Sequence, residues 1–211
     1  MLRSEDTEIL DDPHIPETVR ERCYSDLART QRWLGNWRAV TELLRRDPVP
    51  VRSVLDIGCG HGALARELRK RLGVIATGID TRPPLRLDEI PILRADAVRD
   101  PLPRADAAVS LMVAHHLSSD ELAALIRNVG RYCRRFVILD LVRARMPIVL
   151  FRAFVAPWID PINAADGVRS IKRAYTVAEM RALVAATGVS FRHYAAPLGI
   201  RQIVDIRYGE R

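Results

Sequence analysis

Lysine is nearly missing from this chain of 211 residues: of its 33 basic residues only Lys70 and Lys172 are lysines, and the rest are arginines. The net charge of +7 therefore rests on guanidinium groups spread along the sequence rather than gathered into a patch. Aromatic residues make up only 6%. A platform for single-stranded nucleic acid combines a basic groove with stacking rings, so nucleic acid is the lesser expectation. Cysteine is scarce as well. Cys23, Cys59 and Cys133 are odd in number and form no Cys-x-x-Cys pair or Cys/His cluster, which argues against a disulfide framework and against zinc. No metal is expected. The first twelve residues carry Glu5, Asp6, Glu8, Asp11 and Asp12 and hold no apolar stretch, so no secretory signal is read there and the expected location is the cytoplasm. Long hydrophobic runs are also missing: Met146–Phe151 and Phe154–Ile159 are broken by Arg152 and by prolines, too short to cross a bilayer.

What is there centres on Val54-Leu55-Asp56-Ile57-Gly58-Cys59-Gly60-His61-Gly62. A run of β-branched and aliphatic residues leads into alternating glycines, and a helical pattern (Ala63, Leu64, Leu68, Leu72) follows, giving the order strand, tight turn, helix. Glycines suit a chain that must reverse sharply and let its backbone approach a ligand, which then meets free N–H groups at a helix N-terminus. Gly58-x-Gly60-x-x-Ala63 also fits the dinucleotide fingerprint. Asp56 separates the two readings. A carboxylate there repels a pyrophosphate but binds a cationic amino group by a charge-assisted hydrogen bond. A second strand, Ile75 to Asp80, ends in an acid about twenty residues on, where a ribose-hydroxyl acceptor is expected.

Asp-x-Gly-x-Gly-x-Gly followed by Gly78-x-Asp80 resembles the cofactor site of class I S-adenosylmethionine-dependent methyltransferases. The resemblance implies that Asp56, Gly58, Cys59 and Gly60 hold the methionyl part and that Asp80 holds the ribose. Asp96 would accept from the adenine amino group, and Thr81, Ala97 and Leu111 would line the same cofactor. It covers Val51 to about Tyr208 and implies a Rossmann-like α/β fold: a seven-stranded, mostly parallel sheet with an antiparallel last strand and helices on both faces. Two helices between Pro16 and Arg46 precede the first strand and are expected to pack over its carboxyl edge, so residues 1–48 read as a helical cap and 49–211 as the cofactor-binding domain.

Further along, Ala105 to Met112 reads as a buried strand with His115 and His116 at its end, where open α/β sheets place their ligands. Imidazole exchanges protons near neutral pH and can act as a general base. Adjacent residues on an extended segment point apart, so one histidine is expected to face the acceptor, with His116 preferred. Metal-assisted catalysis needs carboxylates or amides converging there, and apart from Asp140 the sequence offers none. Residues 142–174 form an apolar insertion read as a lid, suited to an aromatic or alkyl-bearing acceptor. The charge-rich stretch from Asp166 to Tyr175 reads first as a solvated face. A looser similarity joins His115-His-Leu117, Asp140-Leu-x-Arg143, Asp166-x-x-x-Ser170-x-x-Arg173 and Tyr175-Thr176-x-x-Glu179 to small bacterial natural-product methyltransferases related to quinone-biosynthesis enzymes. It implies a phenolic or polyketide-derived small-molecule acceptor methylated at oxygen, with Arg143, Phe151 and Tyr175 on the acceptor side. Methylation of a quinone-like or other small molecule at carbon or nitrogen is the alternative. RNA methylation is the other, although the Asn/Asp-Pro-Pro-aromatic signature of base amino-group methylation is missing after Met112.

Overall fold

Apolar runs alternate with amphipathic stretches from Ser53 onward, and the chain folds accordingly into strand–helix units. The computed structural model describes residues 1–83 and 90–209. Helix α1 spans Glu17–Trp33; Gly35, at φ +72°, breaks it from α2, Asn36–Arg45. Strand β1 (Ser53–Ile57), helix α3 (Ala63–Leu72), β2 (Ile75–Asp80), β3 (Ile92–Arg94) and β4 (Ala105–Leu111) follow. Then come α4 (Ser119–Val129), β5 (Cys133–Leu141), α5 (Arg145–Phe154), α6 (Pro161–Arg173), α7 (Val177–Ala186), β6 (Ser190–Ala195) and β7 (Arg201–Arg207). Both capping boxes read from the sequence form, Ser118 with Glu121 and Thr176 with Glu179. Each satisfies two orphan helix groups, and losing such a cap costs about 0.5–2 kcal/mol.

The seven strands lie in the order β3-β2-β1-β4-β5-β7-β6. Strands β1 to β5 run parallel, and β7 enters antiparallel between β5 and β6. The order reverses between β1 and β4, which opens a crevice beyond their carboxyl ends. One sheet face is covered by α4 and α7 through Leu122, Leu125, Ile126, Met180 and Val184 packed on Phe136, Ile138 and Val204. The other is covered by α3 and α2.

That last placement corrects the expectation for α2. Trp37, Val40 and Leu44 form an apolar stripe buried against Val54, Val137 and Leu139 of the sheet, with Leu64 and Leu68 of α3 beside them. Helix α2 is therefore part of the layer. The chain after β5 is drawn away into α5 and α6, so α2 takes the sheet surface those helices leave bare. Helix α1 and the α5–α6 segment instead stand around the carboxyl ends of the strands. Among the described residues no helix is long and apolar enough to cross a membrane.

Candidate functional site

Each parallel strand delivers a polar residue at its carboxyl end: Asp56 on β1, Asp80 on β2, Asp96 after β3, the histidines after β4 and Asp140 on β5. All but Asp140, which lies behind His115, line a cavity of about 740 Å³ roofed by α1, α5 and α6. Asp56, Gly58, Cys59, Gly60, Asp80, Thr81, Asp96, Ala97 and Leu111 all line it, as do His115, His116 and Phe151.

The glycine turn is as tight as the sequence suggests. Gly58, Gly60 and Gly62 all have positive φ, between 53° and 70°. A Cβ on Gly58 would stand 2.4 Å from Val113, and one on Gly60 would stand 2.9 Å from the ring of Tyr24, which α1 lays over the turn. Asp56 is buried, and its Oδ2 accepts one hydrogen bond, from the Ala65 N–H at 3.1 Å. Burial pushes its carboxyl up to about 7, with the Asp80 carboxylate adding to the rise and the Ala65 hydrogen bond opposing it. Among the described residues no protein cation pairs with it. A buried acid without a cation is what an ammonium-bearing ligand needs. Asp80 accepts from Gly60 N–H at 2.7 Å and Arg82 N–H at 2.8 Å, and Asp96 accepts from Val98 N–H and from Arg99. A carboxylate has about four acceptor positions, so both keep capacity for a ligand.

The second half of the cavity departs from the extended picture. Met112 takes φ +59° and ends the strand, and Ala114–His116 wind into one 3-10 turn. The two imidazoles consequently stack, with ring centroids 4.3 Å apart, instead of pointing to opposite sides. His115 is buried: its backbone N–H donates to Asp140 Oδ2 at 2.9 Å, and its Nδ1 lies 2.7 Å from Asp140 Oδ1. Burial works against charge on this ring, but Asp140 and Glu8 outweigh it and hold the pKa up at about 10. His116 is 30% exposed and faces the cavity.

Two residues here were missed in the sequence. Glu8 Oε1 lies 3.4 Å from His115 Nε2 and 3.8 Å from His116 Nε2, and Asp11 Oδ2 lies 3.5 Å from His116 Nδ1. The view that Asp140 is the one carboxylate at this strand end is therefore corrected. The partners come from the acidic N-terminal segment, which helix α6 holds. Asp166 accepts from the N–H groups of Ile9 and Leu10 at 2.8 and 3.0 Å, Ser170 donates to Glu8 Oε1 at 2.7 Å, and Arg173 pairs with Asp11 at 3.2 Å. The face of α6 read as solvated is thus a receptor for the N-terminus, with Asp166 and Ser170 buried. A signal lay in the sequence, since Asp166, Ser170 and Arg173 stand four and three residues apart and share a helical face.

Arg143 and Tyr175 do not line the cavity. Arg143 is buried, donates to the carbonyls of Met1 and Ala174 and pairs with Glu179. Tyr175 is buried, donates its hydroxyl proton to the Leu117 carbonyl at 2.8 Å and carries Arg3 stacked over its ring. Both sit where the lid rejoins α7 and fasten it to the sheet.

A family model for the methyltransferase domain matches residues 28–172. The chain belongs to that family. This methyltransferase domain is of class I, and its cofactor is S-adenosylmethionine. It is 36% identical over 110 residues to uncharacterized methyltransferases of Mycobacterium bovis and Mycobacterium tuberculosis, the matched part covering 47% of this chain. The chain spans about half the length (55%) of these curated relatives. Solved methyltransferases share the fold. Human N-acetylserotonin methyltransferase with S-adenosylmethionine bound superposes with a TM-score of 0.63 at 19% identity, over 92% of this chain and 57% of that one. Mitomycin 7-O-methyltransferase gives 0.64 at 19%, over 96% and 61%. Magnesium protoporphyrin IX methyltransferase from Synechocystis gives 0.57 at 16%, over 95% and 91%.

Proposed function

We propose that this methyltransferase domain methylates a hydroxyl oxygen of a small phenolic or polyketide-derived natural product, with His116 receiving the acceptor's proton. The observation that carries the reading is the stacked histidine pair, backed by Asp140, Glu8 and Asp11, at the end of a cavity whose other end is the glycine turn. When bound, S-adenosylmethionine supplies an electrophilic methyl group on a sulfonium. Asp56 takes its amino group, Asp80 the ribose hydroxyls and Asp96 the adenine amino group. Leu10, Pro147, Leu150, Phe151 and Phe154 form an apolar roof that excludes water and presses a ring into line with the turn. Correct alignment is worth up to ~7–11 kcal/mol of barrier, and proton removal adds ~10²–10⁴-fold.

The two histidines divide the work. His115 is shut in by Asp140, whose carboxylate fixes the orientation of its ring, so it positions its neighbour rather than meeting the acceptor. His116 has room to meet an acceptor hydroxyl, and the imidazolium formed there rests against Asp11 and Glu8. A roofed, mostly apolar cavity favours a small acceptor over a base within RNA.

The test is methyl incorporation over a panel of phenols, quinols and amines, beside thermal stabilisation by S-adenosylhomocysteine. The expected result is turnover on phenols, a loss of ~10²–10⁴-fold in kcat for His116→Ala, and unchanged stabilisation by S-adenosylhomocysteine. Full activity in that variant removes His116 from the role. Turnover confined to amines moves the reaction to nitrogen.

A further inference from the structure

Glu8, His115 and His116 present one carboxylate oxygen and two imidazole nitrogens, all within 4.8 Å of one another, on the wall of the cavity. Ligand atoms that share an ion at ~2.0–2.2 Å stand roughly 3–4 Å apart, and the Glu8–His115 and Glu8–His116 separations are 3.4 and 3.8 Å. We propose that these three side chains bind a divalent first-row transition-metal ion, with its remaining positions open to the cavity. Two imidazoles and one carboxylate, with a free position, are a ligand set of catalytic zinc and of non-haem iron(II).

A second, independent feature is the layer behind the ligands. Metal-binding imidazoles characteristically direct their other ring nitrogen at a carboxylate, which sets the tautomer and aims the coordinating lone pair. Here His115 Nδ1 is held by Asp140 at 2.7 Å and His116 Nδ1 faces Asp11 at 3.5 Å, so both Nε2 atoms turn toward Glu8. The Glu8 carboxylate is fixed in turn by the Ser170 hydroxyl at 2.7 Å. Every ligand thus has its own orienting partner. Charge balance points the same way. Glu8, Asp11 and Asp140 gather three carboxylates around two imidazoles, with the Arg173 guanidinium on Asp11 and the Arg3 guanidinium on the His115 and Leu117 carbonyls, and a dication offsets the remaining negative charge.

Ion and proton compete for the same nitrogens, so the ion does by coordination what His116 does by proton uptake. It holds an acceptor oxygen in its anionic form. Binding itself does not depend on the acceptor reading and is measured without acceptor or cofactor.

The experiment is a calorimetric titration of the chelator-treated protein with Zn²⁺, repeated with Co²⁺ so that its visible absorption reports nitrogen ligands. The expected result is one ion per chain, an affinity lowered at least tenfold in both Glu8→Gln and His116→Ala, and a loss of about 10–100-fold in Asp140→Asn, which removes the orienting charge but no ligand. His14→Ala is the control, because His14 is exposed beside Asp12, outside the cluster. His116 is partly exposed, so its variant keeps the fold, and the thermal transition of each variant checks this. Absence of binding in the parent protein overturns the proposal. So does binding that survives in both Glu8→Gln and His116→Ala, or that disappears in His14→Ala.

Discussion

Strand β5 carries a buried charge toward each of its ends, and the two surroundings differ. Arg135, toward its start, places Nε and Nη2 on the two oxygens of Asp205 at 2.8 Å and Nη1 on Asp47 and the Leu43 carbonyl. Asp47 also receives Arg134 and Arg207. Asp140, roughly 17 Å further on at ~3.3 Å per residue, belongs to the histidine cluster. There the imidazole–carboxylate contacts beyond Asp140 run from 3.4 to 3.8 Å. The first cluster is saturated: guanidinium donors match carboxylate acceptors in a fixed fork, and Arg135, Asp47 and Asp205 do not line the cavity. The second is made of groups that exchange protons, at distances that leave room for something between them. One end of the strand is closed by its own side chains, and the other opens through its histidines on the cavity.

The strongest way to break this contrast is Arg135→Ala. It strands Asp205 as a buried charge and leaves Asp47 to Arg134 and Arg207, and the expected cost is about 3–5 kcal/mol of folding stability. S-adenosylhomocysteine affinity of the remaining folded protein stays unchanged; chemical denaturation with ligand titration checks both. An equally large loss of affinity would mean that the two ends are coupled.

Acid sharpens the comparison at an intermediate magnitude. Burial would raise the Asp47 carboxyl, but Arg207, the Val49 N–H and Arg135 hold it down at about 2. A carboxyl depressed in the folded state adds stability that is full above its unfolded value, near 4, and is lost as the pH falls toward 2. Asp47→Asn therefore flattens the acid limb of the stability curve between about pH 4 and 2. A limb of unchanged steepness would assign it to other carboxylates.

The smallest expected effect concerns Asp56, shifted the opposite way by burial, with the Asp80 carboxylate adding to the rise. It binds an ammonium only when ionised, so S-adenosylhomocysteine affinity is expected to weaken several-fold for each unit of pH below about 7 and to level off above it. In Asp56→Asn that pH dependence disappears. Isothermal titration between pH 5.5 and 8.5 decides, and a flat profile in the parent protein removes Asp56 from the amino-group role.

Legibility in the sequence followed chain distance. The glycine turn, the acids at three strand ends and both capping boxes are local patterns, each readable within a dozen residues, and they led to the sheet and the cofactor half of the cavity. The other half of the cavity was partly legible. His115, His116 and Phe151 stood out, but Glu8 and Asp11 did not, because their partners Ser170 and Arg173 lie 162 residues away. Arg143 and Tyr175 were misplaced for a related reason. A motif says that a residue is needed at a position and not which neighbour it meets, and both meet the lid's own anchor points. Helix α2 was misjudged by its place ahead of β1, although its apolar stripe already matched a sheet face.

The route by which the N-terminal segment reaches the cavity has a consequence for how the molecule comes into being. Closing a loop across most of a chain carries an entropic cost that local turns avoid, and such contacts tend to form late. The glycine turn and the ends of β1 and β2 rest on neighbouring strands and can organise early. The acceptor half needs the first dozen residues to wait until α6 exists. Refolding is therefore expected to establish the glycine turn before the contacts of Glu8 and Asp11 with α6, which close last, when the two distant segments meet.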